Sequence, residues 1–335
     1  MRVVVIGAQR RRQGIGEFVA RFFEEEGATV SGIVATTAER ARETCAALAT
    51  RYGIRANGYG SLDAALRAEK PDAVAICSPY AVHAEHLEAT ARAGAHCFCE
   101  KPLWFDPALD PASETRRLIE PFLARELHLE LVTQWPCLLE DFFALFPEER
   151  GRPVRSFSML LCPGSAGTAM VPDAVPHPVS VLQALVGAGS VQKPRAWFLD
   201  QGLGDQGREL RIECEWRHVQ GSVAVELHFA TKEEAPRPAS FTINGRTAHR
   251  RIVLPTYSMT LESEERGGAP ARTRPVADPA RRLVRGFLER ATARTPTRLD
   301  LLVDGQEALL ALYRAVDAVA RPPKLKSAST LRKVS

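Results

Sequence analysis

Lysine is scarce in this chain. Of 44 basic side chains in 335 residues only seven are lysine, and just four of those (Lys70, Lys101, Lys193, Lys232) precede residue 321. A lysine inside the folded body therefore raises a chemical question. Long apolar runs are missing too: none approaches the ~20 residues that span a bilayer, which argues against a membrane protein. Met1 leads straight into Val3-Val4-Val5-Ile6-Gly7, with no charged segment, apolar core and cleavage site of a secretory leader. The seven cysteines are odd in number and include no C-x-x-C pair. That usage fits free thiols in a reducing cytoplasm, and no set of metal ligands can be assembled around them. Excess charge is absent from the body as well. The formal +4 is accounted for by residues 321–335, a basic tail with five basic groups and no acid, so a nucleic-acid footprint is not expected.

What remains is an ordinary globular composition, 45% hydrophobic and 25% charged, long enough for about two domains. Residues 1–133 alternate strand and helix patterns. Residues 3–6, 29–35, 72–77, 96–99 and 127–133 read as buried strands, and helical spacing separates them. This predicts an α/β Rossmann domain, a doubly wound parallel sheet with helices on both faces. Past the joint at 133/134 the pattern changes. Leu210-Arg-Ile-Glu-Cys-Glu-Trp216 alternates apolar and charged residues, and Asn244-Gly245 between two extended runs is a hairpin signal. Residues 134–320 are therefore expected to form an α+β domain with a large, mostly antiparallel sheet, read as a meander. Its open face, taken as apolar, predicts a homodimer or homotetramer.

The first chemical motif is the turn Gly7-Ala8-Gln9-Arg10-Arg11-Arg12-Gln13-Gly14-Ile15-Gly16. Glycines between a strand and a helix let backbone approach a pyrophosphate at the helix N-terminus, although this spacing is not G-x-G-x-x-G. Gly7, Gln9, Arg10, Gly14, Ile15 and Gly16 are the candidate cofactor contacts. After the second strand, Ala35 stands where NAD-preferring domains carry an acid. Thr36, Thr37 and Arg40 follow it and would suit a 2′-phosphate, so NADP(H) is favoured with NAD(H) retained as an option.

The third stretch is Pro71-Asp-Ala-Val-Ala-Ile-Cys-Ser78-Pro79, then His83, His86, Gly94, His96 and Glu100-Lys101-Pro102. With these residues in this order the chain resembles the Gfo/Idh/MocA family of nicotinamide-dependent oxidoreductases. The resemblance implies that Ser78, Pro79, His83, Glu100 and Lys101 lie on the cofactor side of the site. It also implies that Lys101 stands beside the nicotinamide and the substrate, where an ammonium stabilises alkoxide charge. Downstream, Asp173-x-x-x-His177 matches the family's Asp-x-x-x-His, which implies a histidine that relays a proton with the aspartate tuning both groups. Val175, Ser180 and the prolines flanking His177 depart from the family pattern and leave the substrate open. Gln134 and Trp135 at the domain joint are candidate substrate contacts, Trp135 equally a core residue. The expected reaction is hydride transfer between nicotinamide and a carbonyl or secondary alcohol of a small polar, sugar- or cyclitol-like metabolite. Two alternatives stay open: a redox-inert dinucleotide-binding sensor or scaffold, and an enzyme that uses bound nicotinamide transiently for lyase or hydrolase chemistry.

Overall fold

The run Val3-Val4-Val5-Ile6 is buried on both faces, as a central parallel strand requires. It forms β1 (Arg2–Ile6), followed by α1 (Gly16–Glu25), β2 (Thr29–Val34), α2 (Ala38–Tyr52) and β3 (Asn57–Tyr59). Next come α3 (Leu62–Glu69), β4 (Ala73–Ile76), α4 (His83–Ala93), β5 (His96–Glu100), α5 (Pro111–Leu123) and β6 (Leu129–Val132). The computed structural model describes residues 1–9, 15–200, 204–254, 256–264 and 271–321. Arg10, Gly14 and all of the basic tail after Arg321 lie outside the described residues.

The six strands pair in the order β3-β2-β1-β4-β5-β6, all parallel. Strand order reverses between β1 and β4, and in such sheets ligands bind at the carboxyl ends flanking that reversal. Helix ends are set locally. Thr37 caps α2 by accepting from the Arg40 amide at 3.3 Å, and Asp110 caps α5 by accepting from the Ser113 amide at 2.9 Å. Each such cap is worth about 1 kcal/mol.

The second half contains α6 (Leu139–Leu145), β7 (Ser156–Leu161), α7 (Met170–Ala174), α8 (Pro176–Val186), β8 (Gly189–Phe198), β9 (Glu209–His218) and β10 (Gly221–Ala230). It continues through β11 (Ala239–Ile243), β12 (Arg246–Val253), β13 (Ser258–Ser263), β14 (Thr273–Val276), α9 (Pro279–Thr292) and α10 (Leu299–Ala320). Its eight strands run β14-β13-β12-β11-β7-β10-β9-β8. The sheet is large and mostly antiparallel, but it is not the simple meander expected. β7 inserts between β10 and β11 and pairs with β10 in parallel, because its buried Phe157, Met159 and Leu161 fill the centre of the inner face.

The outer face also differs from expectation. Leu210, Ile212, Cys214 and Trp216 of β9 turn inward and are buried, whereas Arg211, Glu213, Glu215 and Arg217 alternate with them toward solvent. Ion pairs lace this outer face: Lys193–Glu215 and Arg195–Glu213 at 2.9 Å, Arg211–Glu226 at 3.4 Å. The expected large apolar face is thus charged.

The chain returns to its beginning through α9. Phe287 meets Phe23 and Phe98 edge to face, at ring distances of 5.9 and 5.3 Å, inside the core of the parallel sheet. Helix α9 of the 134–320 segment therefore packs with the first domain, and α10 does so too through Leu310. Among the described residues no helix is long and apolar enough to cross a membrane.

Candidate active site

Gly7 and Cys77 immediately follow β1 and β4 at the strand-order reversal. Gly7 has φ +78°, and a Cβ there would lie 2.6 Å from the Cys77 carbonyl oxygen. A Cβ on Gly16 would lie 2.3 Å from the Gly7 carbonyl oxygen, so the first turn of α1 is drawn tight against the strand end. This close backbone approach is the geometry a pyrophosphate-binding turn uses, and the residues present fit a dinucleotide. Ile15 immediately precedes α1 and packs against the core of the parallel sheet. Gln9 is tied down by Nε2, which donates to the Arg40 carbonyl at 3.2 Å and to Thr44 Oγ1 at 2.9 Å. At the end of β2, Arg40 Nη1 donates to Thr36 Oγ1 at 2.9 Å, while Thr36, Thr37 and Arg40 are all exposed.

Beyond β4, Ser78 Oγ lies 3.1 Å from His86 Nδ1, and the exposed Pro79 follows. His83 is fully buried, with Nδ1 2.9 Å from the Pro102 carbonyl and Nε2 2.8 Å from the Ser78 carbonyl. Burial holds its pKa below the ordinary histidine value, and a neutral ring donates to only one of the two carbonyls. His83 thereby links the loop after β4 to the loop carrying Lys101.

Lys101 leaves the end of β5 and crosses to the second domain. Its Nζ donates to the Asp173 main-chain carbonyl at 2.6 Å and to Asp173 Oδ1 at 3.0 Å. The other carboxylate oxygen of Asp173 accepts from the Gly164 amide at 3.0 Å and from Ser165 Oγ at 3.3 Å. Burial opposes the Asp173 charge, but the Lys101 ammonium and these donors outweigh it and hold the carboxyl below its usual range.

Asp173 lies on α7 and His177 on α8, joined at Val175 with helical dihedrals (φ −58°, ψ −35°), so the two side chains are one helical turn apart. Pro176 and Pro178 fall in the first turn of α8, where a missing N–H costs little. His177 Nδ1 is buried and has no hydrogen-bond partner. Burial first, then the Lys101 charge, push its pKa far below the ordinary value, against the opposing pull of Asp173. The expected tuning of His177 by Asp173 is therefore through charge alone, with no hydrogen bond between them. Glu100, one residue before Lys101, has Oε2 buried without a partner; burial raises its pKa to about 7 despite the Lys101 charge.

At the domain joint Gln134 is half-buried. Trp135 is 3% exposed, meets Phe241 edge to face and belongs to the second domain's core. Of its two expected roles the structure assigns the core one. Three contributors were missed in the sequence: the Gly164 amide, Ser165, and Arg250, whose Cζ lies over the Trp135 ring 4.9 Å from its centroid and whose charge helps lower the His177 pKa. The first two carry no local motif. Arg250 was legible, because Ala248, Arg250 and Ile252 share one face of an alternating strand. A cavity of about 270 Å³ beside Ser180 and Gln183 lies along α8 from this cluster rather than at it. Among the described residues no group of three or more His, Cys, Asp or Glu side chains is arranged to hold a metal.

Residues 1–121 match the oxidoreductase family with the NAD-binding Rossmann fold known as Gfo/Idh/MocA. D-glucoside 3-dehydrogenase of Escherichia coli (strain K12) is 39% identical over 87 residues, 24% of this chain and 23% of that protein. The chain thus spans about a quarter of the length of that curated relative. Two solved structures share the whole fold. UDP-N-acetylglucosamine 3-dehydrogenase GnnA from Acidithiobacillus ferrooxidans superimposes with a TM-score of 0.71, at 21% identity, over 96% of this chain and 99% of that one. The 3-ketoreductase KijD10 from Actinomadura kijaniata, solved with NADP, gives 0.68 at 22% identity over 94% and 97%.

Proposed function

We propose that the chain, whose residues 1–121 match the Gfo/Idh/MocA oxidoreductase family model, is an NAD(P)-dependent oxidoreductase acting on a carbonyl or secondary alcohol of a small polar, sugar- or cyclitol-like metabolite. The observation that carries this reading is the Lys101 ammonium, held at the carboxyl edge of the parallel sheet by both the carboxylate and the main-chain carbonyl of Asp173. Bound there, a nicotinamide would accept or return the hydride. Gly7, Ile15 and Gly16 would hold its pyrophosphate side. Thr36, Thr37 and Arg40 at the end of β2 would favour a 2′-phosphate, and hence NADP(H), because no acid stands at Ala35.

The protein's own steps follow from where these groups stand. In the oxidative direction Lys101 donates a hydrogen bond to the substrate oxygen and stabilises negative charge as the O–H proton leaves. Neutral His177 takes that proton. In the reductive direction the same imidazolium returns it. Asp173 fixes the ammonium in place and stays ionised throughout. The dehydrogenases of a D-glucoside and of UDP-N-acetylglucosamine among the similar proteins support the substrate class.

Seven free cysteines support a reducing, cytoplasmic setting. Association through the eight-stranded sheet is also part of the proposal. Its contact would join charged rows, so the oligomer should loosen at high salt in size-exclusion chromatography.

The test is thermal-shift titration with NADPH and NADH, followed by turnover of a sugar and cyclitol panel under the better cofactor. Stabilisation by NADPH with reduction or oxidation of a panel member is expected. No stabilisation by either nucleotide would overturn the reading.

A further inference from the structure

The cavity of about 270 Å³ beside α8 has an edge strand for one wall. Leu129 and Leu131 of β6 face Val179 of α8 and Leu301 and Leu302 of α10 across it. β6 is the last strand of the parallel sheet, so only alternate residues of it bond to β5. The Cys97 amide donates to the His128 carbonyl at 2.9 Å, which sets the phase: Glu130 and Val132 turn their main-chain groups to β5, Leu129 and Leu131 turn theirs outward. Thr297 Oγ1 stands in for a further strand at Leu129, accepting from its amide at 2.7 Å and donating to its carbonyl at 3.2 Å. The N–H and C=O of Leu131 have no such partner among the described residues and are left at the cavity wall.

Gly305 is an independent sign. It lies inside α10, where glycine is less favourable than alanine. A Cβ there would meet nothing closer than Gln183 Nε2 at 3.6 Å, an ordinary contact, so crowding does not demand glycine. What the missing side chain preserves is space, because Gly305 lines the cavity. The charged groups of the lining are already neutralised: Arg290 pairs with Glu130 at 2.8 Å and Arg298 with Asp300 at 2.6 Å. The cavity therefore suits a neutral occupant.

We propose that this cavity is a second ligand site, distinct from the Lys101–Asp173–His177 cluster, for a small neutral molecule with an apolar body and a cis amide, the class of a lactam. A cis amide presents its N–H and C=O side by side. It can donate to the Leu131 carbonyl and accept from the Leu131 amide at once, while the leucine and valine side chains cover the body. The volume is ample, since an apolar cavity of about 150 Å³ already holds benzene. The single open pair also decides against an added peptide strand, which needs several free pairs in succession. Thr297 closes the pair at Leu129, and β6 is only four residues long. The site is independent of the oxidoreductase reading.

The test titrates the protein with oxindole, a bicyclic lactam, and with 2-indanone, which keeps the ring shape and the carbonyl but lacks the N–H, following both by saturation-transfer NMR. Oxindole should bind saturably and about ten-fold or more tighter than 2-indanone, because the ketone leaves the Leu131 carbonyl without a donor. Gly305→Leu, which fills the cavity, should abolish oxindole binding. A second readout needs no cavity variant: in protein labelled with ¹⁵N-leucine, the Leu131 amide signal, identified by its absence in Leu131→Ile, should move as oxindole is added. Should Gly305→Leu fail to fold, that shift carries the same information. Absence of oxindole binding, equal affinity for the two ligands, undiminished binding in Gly305→Leu, or a Leu131 signal that stays in place would overturn the inference.

Discussion

Lys101 and Asp173 come from different domains and meet at 3.0 Å, Nζ to Oδ1, with a second bond of 2.6 Å to the Asp173 main-chain carbonyl. The double contact fixes the ammonium more firmly than a carboxylate alone would. It also ties the parallel sheet to the helical segment in front of the large sheet. Asp173→Ala should therefore loosen the interdomain contact and cost about 1–3 kcal/mol, less than a fully buried pair because both groups keep some exposure. Chemical denaturation checks the stability, and turnover should fall by a larger factor than stability explains.

Glu100 predicts a pH-dependent stability. Its carboxyl is raised from 4.5 to about 7 in the folded protein, chiefly by burial. The folded state therefore holds a proton that the unfolded state gives up, so stability falls as pH rises from the unfolded toward the folded value. The full effect is roughly 3 kcal/mol. Glu100→Gln should be nearly neutral near pH 4.5 and stabilising above pH 7; a difference in melting temperature that does not grow with pH would contradict it.

Much of the fold was legible because its strands are uniform. β1, β4 and β5 are buried on both faces and read as short apolar runs, while β9 and β10 are half-buried and alternate. β8 was not legible. Pro194 and a register shift between Gln192 and Arg195 break its period, and most of its residues are only half-buried. The place of β7 between β10 and β11 depends on pairings between segments far apart in sequence, which no local pattern records. At the site, Lys101 stood out because lysine is rare and because Glu-Lys-Pro follows a strand. Gly164 contributes only a main-chain N–H, invisible in its side chain. Trp135 could not be assigned to core or pocket until Phe241 and Arg250 were seen on it.

The cofactor turn predicts a sharp glycine requirement. At φ +78°, Gly7→Ala would strain the backbone and drive a methyl to 2.6 Å from the Cys77 carbonyl. A loss of about 2 kcal/mol or more is expected, together with loss of the NADPH-induced thermal shift. Wild-type nucleotide binding in this variant would contradict the assignment of the turn.

Cofactor preference is addressed at Thr36, whose hydroxyl now accepts from Arg40 Nη1. Thr36→Asp would repel a 2′-phosphate, engage Arg40, and offer a carboxylate to a ribose hydroxyl. The ratio of KM for NADPH to that for NADH should rise about ten-fold or more. An unchanged ratio would remove the end of β2 from cofactor selection.

His177 sets the expected pH profile. Because burial and Lys101 hold its pKa far below 6.5, the imidazole is already the neutral base near neutrality. For alcohol oxidation, kcat/KM should show no histidine-like decline as pH falls from 8 to about 6. A decline centred near 6.5 that disappears in His177→Gln would contradict the placement of this ring as a buried, neutral base.

The central claim is that Lys101 promotes hydride transfer at the reacting oxygen. The most direct measurement follows reduced nicotinamide absorbance in single-turnover oxidation of the best panel substrate by wild type and Lys101→Met, both saturated with NADP. The account predicts a rate reduced by roughly 10²- to 10⁴-fold in the variant with nucleotide affinity unchanged. An equal single-turnover rate in the two proteins would contradict it.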